Sequence, residues 1–88
     1  MRYRIATDTL AATLSDGAVL LSLHTKRYFS LNETGTRVWA LLGEAKSADE
    51  IAAALAGEYA VSGEEARAAV DALIAELVAE QLLEVLPS

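Results

Sequence analysis

Arg27-Tyr28-Phe29-Ser30-Leu31-Asn32-Glu33-Thr34-Gly35, followed by Val38, Trp39, Leu41 and Leu42, is the stretch on which the fold turns. It reads as a short strand that runs directly into an amphipathic helix. The Asn32 side chain can accept the free N–H groups of a first helical turn, and Glu33 suits the positive helix end. Val38, Trp39, Leu41 and Leu42 give that helix a buried stripe, and Gly43 is the expected stop.

Upstream, the chain reads as sheet. Leu10-Ala11-Ala12-Thr13-Leu14 suits a strand. Asp16-Gly17 follows as a hairpin signal, because glycine reaches positive φ without steric cost. Val19 to Leu23 makes the next strand and turns through His24-Thr25-Lys26 into Arg27. A three-stranded antiparallel meander is the economical reading, with Tyr3-Arg4-Ile5 as a frayed fourth piece.

Downstream, it reads as helix. Ser47 with Glu50 is a capping box for a second helix carrying Ile51, Leu55 and Tyr59, and Ser62 with Glu65 repeats the device for a third, to about Glu80. On that third helix Ala66, Val70, Leu73, Ile74, Leu77 and Val78 span an arc of roughly 140°. Two short helices should not need so wide a face. One flank, Ala69 with Leu73 or Ile74 with Val78, is therefore expected to stay partly open beside the sheet. Leu82 to Leu86 closes the chain as a short strand or a packed tail. Strands and helices in separate blocks predict an α+β fold, a winged-helix-like three-stranded antiparallel meander followed by three helices.

Composition narrows the function. The 88 residues suit one domain, 1–88 with a core over 10–86, and 53% hydrophobic residues exclude a disordered tail. The net charge is −6, and the seven Lys and Arg residues form no cluster. Phosphate neutralisation and docking on an anionic membrane are both disfavoured. The chain has no cysteine, which removes disulfides, thiolate metal sites and a cysteine nucleophile. No apolar h-region opens the chain and no apolar run reaches membrane-spanning length, so a cytoplasmic location is expected.

The single histidine, His24, has no evident base-orienting partner or companion ligands. Glu33, Asp49, Glu50, Glu64, Glu65, Glu76 and Glu80 fall on helix starts and polar faces. They give no reason to expect a perturbed carboxylate pair. The glycines form no phosphate-binding pattern, and Trp39 reads as a core anchor. No catalytic residue, cofactor or metal is expected. What remains is the strand Tyr28-Phe29-Ser30-Leu31, whose edge carries no proline or inward charge. Such an edge is a template for another chain's strand.

The set Leu31-Asn32-Glu33-Thr34-Gly35, Val38-Trp39 and Leu41-Leu42 resembles the LNxTGxxxWxLL signature of the PqqD-like family. Ser47 to Ala52, with Leu55 and Tyr59, resembles that family's second segment, and the likeness runs from about Leu14 to Leu86. The family comprises small winged-helix-like RiPP recognition elements, which bind the leader of a ribosomally made precursor peptide. The resemblance implies a leader held as an added β-strand beside the strand 26–31, above the helix 63–80. The Lys26 to Asn32 segment is most similar to stand-alone members from lasso-peptide clusters. This implies a leader-cleaving cysteine protease and a cyclase as further partners. The chain departs from many relatives at Thr25-Lys26 and at Gln81, where they carry glycine, and at Val70-Asp71, the reverse of their Asp-Val pair.

Strand addition would use the backbone of Arg27, Tyr28, Phe29, Ser30 and Leu31, with side-chain selectivity from the groove. Leu73 and Leu77, with Ala69 or Val70, are the expected floor. Glu76 or Asp71 is expected to favour basic leader residues. Other readings are a quinone-cofactor-type peptide chaperone of the same family, a structural or dimer-forming module, and a winged-helix DNA binder. The last is disfavoured by a third helix whose one basic residue, Arg67, stands among five acidic ones.

Overall fold

The computed structural model describes residues 2–87; Met1 and Ser88, the ends of the expected domain, lie outside the described residues. Asn32 is where sheet becomes helix: its Oδ1 accepts the Gly35 N–H at 2.8 Å, and its carbonyl accepts the Thr36 hydroxyl at 2.8 Å. The elements run β1 (Arg2–Ile5), β2 (Thr9–Leu14), β3 (Gly17–Ser22), β4 (Arg27–Asn32), α1 (Glu33–Gly43), α2 (Ala48–Glu58), α3 (Gly63–Ala79) and β5 (Leu83–Leu86). The expected α+β order of meander and three helices is observed.

β2, β3 and β4 form an antiparallel sheet in that order. Ala18 lies opposite Leu31, and Leu20 opposite Phe29. With a two-residue side-chain period, this sends Ala18, Leu20, Phe29 and Leu31 to the helical side. They meet Val38, Leu42, Ile51, Leu55, Val70 and Leu77 in one core, in which Leu20, Ile51, Val70 and Leu77 are 0% exposed. Trp39, expected as a core anchor, is only half-buried at the edge of this cluster.

The Asp16-Gly17 hairpin forms, but not through positive φ, which no described glycine adopts. Gly17 is required by proximity: a Cβ there would stand 2.2 Å from the Leu31 carbonyl oxygen, across the β3–β4 pair. The left-handed positions belong instead to Lys26 (φ 64°), Ala45 (φ 62°) and Gln81 (φ 61°). Gly43 is the last residue of α1 but not the left-handed one that closes it. The helix closes two residues later, where Ala45 N–H bonds to Leu42 and Lys46 N–H to Leu41. α3 closes in the same way, from Gln81 N–H to Val78 and Leu82 N–H to Leu77. Both are Schellman closures, which place the left-handed residue just beyond the cap.

Ser47 and Glu50 make the reciprocal capping box. Ser62 caps α3, but Glu65 accepts from the Ser62 hydroxyl rather than from its backbone N–H, so only half the expected box forms. The N-terminal strand does not join the meander either. β1 pairs antiparallel with β5 as a separate two-stranded sheet, Arg2 opposite Leu86, braced by Arg4 on Glu84. Arg37 grips both carboxylate oxygens of Glu58 at 2.9 Å, tying α1 to α2. Arg67 spans from Asp71 in its own helix to Asp49 in α2.

Candidate functional site: the groove between β4 and α3

β4 is an edge strand, and its outer edge pairs with no other strand among the described residues. At about 3.3 Å per residue its six residues offer a free backbone edge about 20 Å long. Beside it runs α3, antiparallel, so that Leu73 lies toward Leu31 and Glu80 toward Arg27. Between strand and helix is a groove of about 340 Å³, lined by Phe29 to Asn32 on one side and by Ala69, Ala72, Leu73 and Glu76 on the other. Thr34, Gly35, Val38 and Leu55 close one end.

The rows of α3 explain which residues reach it. At 100° per residue, Ala69, Ala72, Leu73 and Glu76 fall on one stripe, and Ala66, Val70, Ile74 and Leu77 on a neighbouring one. The second stripe is buried against the other helices and the sheet. Of the two flanks that could have stayed open, Ala69 with Leu73 faces the groove, while Ile74 is 6% exposed and lost to the core. Val70 and Leu77, both expected in the floor, are corrected accordingly: they lie beneath it, fully buried, and do not line it.

On the strand, Phe29, Ser30 and Leu31 line the groove. Arg27 stands beyond this lining and places its Nε 3.2 Å from Glu80 Oε1, bridging strand and helix. The Tyr28 side chain points the other way and is 71% exposed, so only its backbone belongs to the edge. Sequence reasoning missed Asn32, Thr34, Gly35, Val38, Leu55 and Ala72 as lining. Val38 and Leu55 had been assigned wholly to helix stripes, and the capping turn at Asn32 gave no sign that it also ends a groove.

Chemically the groove is mainly apolar, with Ser30, Asn32 and Thr34 on the strand side and one carboxylate residue, Glu76, in its lining. Glu76 is exposed, and its carboxylate has no ion-pair or hydrogen-bond partner among the described residues. Gly35 keeps the closed end low: a Cβ there would come within 3.2 Å of Leu31.

The reverse face of the sheet carries a second apolar surface. Leu10, Leu21 and Tyr28 form one cross-strand row and Ala12, Val19 and Ser30 the next, none of them charged. Leu10 is 54% exposed and Leu14 53%. His24 lies elsewhere, in a hollow of about 380 Å³ with Asp8, Val78, Gln81 and Glu84. Among the described residues no group of three or more His, Cys, Asp or Glu side chains is placed to hold a metal, and no helix is long and apolar enough to cross a membrane.

The fold that holds this groove has close counterparts among solved structures. The fold superposes with a TM-score of 0.88 on TbiB1 in complex with the TbiA(beta) leader peptide; the identity is 33%, over 97% of this chain and 99% of that one. It superposes with a TM-score of 0.86 on a lasso peptide synthetase B1 complexed with the leader peptide, 25% identical over 94% of this chain and 98% of that one. Comparison with curated proteins finds no match. The family model for coenzyme PQQ synthesis protein D matches residues 17–83, and the chain belongs to the PqqD family.

Proposed function

We propose that this protein is a non-catalytic recognition element that captures the leader of a ribosomally synthesised precursor peptide in lasso-peptide biosynthesis. The observation that carries the reading is the unpaired β4 edge lying along an apolar groove floored by α3. The leader adds as a strand to the backbone of Arg27 to Leu31, and alternate side chains enter the groove over Ala69, Leu73 and Glu76. Val70 and Leu77 act from below, by holding the helix in place. Backbone bonding supplies affinity without reading sequence; the groove supplies selectivity.

The captured leader is passed to a leader-cleaving cysteine protease, with a cyclase acting after it, in the cytoplasm and without nucleic acid, membrane or cofactor. An added strand leaves the reverse face of the sheet free and extends it by one strand.

The test of leader capture is an anisotropy titration with a fluorescein-labelled leader from the precursor gene next to this chain's own. Saturable binding in the nanomolar to low-micromolar range, roughly −12 to −8 kcal/mol, is expected. No binding at tens of micromolar would sink the reading and favour edge-to-edge self-association.

A further inference from the structure

We infer that Glu76 is a charge-selecting residue of the groove, favouring leaders that place a Lys or Arg two residues away from their main apolar anchor. The inference rests on the leader-binding reading and makes it more specific.

Three carboxylates lie along this part of α3, and they are not equivalent. Asp71 accepts from Arg67 Nε at 2.9 Å and lies about 140° around the helix from Glu76, away from the groove. Glu80 shares the groove's stripe but is held by Arg27 at 3.2 Å. Glu76 alone is both in the lining and unpaired. Arg27 is engaged by Glu80, one helical turn further on, and no described residue forms an ion pair with Glu76. A net charge of −6 adds a field of the same sign.

The lining around Glu76 gives this charge its effect. Phe29, Leu31, Leu55 and Leu73 offer an incoming side chain no hydrogen bonds, so a neutral polar residue seated there gains at most a hydrogen bond from an uncharged donor to Glu76, and an acidic one is repelled. A Lys or Arg can lay its methylene stem on the apolar lining and keep its charged head at the carboxylate. The spacing follows from the two elements. Glu76 lies three residues past Leu73, a rise of about 4.5 Å along the helix axis, whereas same-face side chains on an added strand recur about every 6.6 Å. One alternation of the leader therefore carries it from the apolar end at Leu73 to the carboxylate.

The test uses the labelled leader, its apolar anchor located by alanine scanning, and peptides carrying Lys, Gln or Glu two residues to either side of that anchor. At low salt and at one of these positions, Lys should bind about threefold tighter than Gln, and Gln tighter than Glu, as for an exposed ion pair. The order should flatten in 0.5 M salt, vanish in Glu76→Gln and invert in Glu76→Lys. An exposed position on α3 tolerates both variants, and circular dichroism checks that they fold. If the three peptides bind equally, or the preference survives in Glu76→Gln, the charge selection is wrong while leader capture stands. If the unmodified leader does not bind at all, both fail together.

Discussion

Two stripes of the same helix, a few ångströms apart, have opposite fates. Val70, Ile74 and Leu77 are sealed in the core, while Ala69, Leu73 and Glu76 face a groove. Both stripes are largely apolar, and hydrophobicity does not distinguish Leu77 from Leu73. What distinguishes them is the end of the sheet: β4 is the last strand, and beyond it no described residue covers that flank of the helix. The core stripe is for standing; the groove stripe is for binding.

The hardest way to break that division is to remove volume from the core stripe. Leu77→Ala should lose about 3 kcal/mol, within the range for a buried leucine, read from urea unfolding. The molecules still folded should bind leader with unchanged affinity. Leu73→Arg should do the reverse, lowering leader affinity at least about 100-fold, or about 2.7 kcal/mol, with a melting temperature close to the parent's. A Leu73→Arg protein that unfolds would place Leu73 in the core and erase the distinction.

Smaller effects should come from the turns that position the two walls. Gln81 ends α3 and Lys26 precedes β4, each in the left-handed region. Gln81→Gly and Lys26→Gly should each raise stability by about 0.5–1 kcal/mol, since glycine removes the Cβ conflict at some cost in chain entropy. The smallest expected effect concerns the brace behind both stripes. Arg37 donates to Glu58 and holds its carboxyl below the ordinary value of 4.5. A carboxyl depressed in the folded state adds stability that is present above pH 4.5 and lost as pH falls through the lowered value. Melting temperatures followed from pH 6 to pH 3 should fall slightly less in Arg37→Met than in the parent.

What the sequence made legible is what residues a few positions apart can decide. Asn32 before Glu33 announced the strand-to-helix switch, and Ser47 with Glu50 announced α2. The free β4 edge followed from the order of the strands. The errors are of two kinds. Gly43 was read as a stop because glycine favours left-handed backbone, yet the closing geometry needed that conformation at Ala45, and the fold imposed it on a residue with a Cβ. Val70 and Leu77 were put in the groove because a 140° arc records apolarity, not what will cover it. The partner of β1 was out of reach for the same reason: nothing near Tyr3 points to Val85, at the other end of the chain.

That pairing has a mechanical consequence. Arg2 and Leu86 lie side by side at one end of the β1–β5 ladder. Tension applied between the chain ends therefore loads one rung at a time and peels the strands apart, instead of shearing all rungs together. In single-molecule stretching the protein should give way at low force, starting with this two-stranded sheet. Neither strand lines the groove, so the first event under load would leave the leader-binding walls standing.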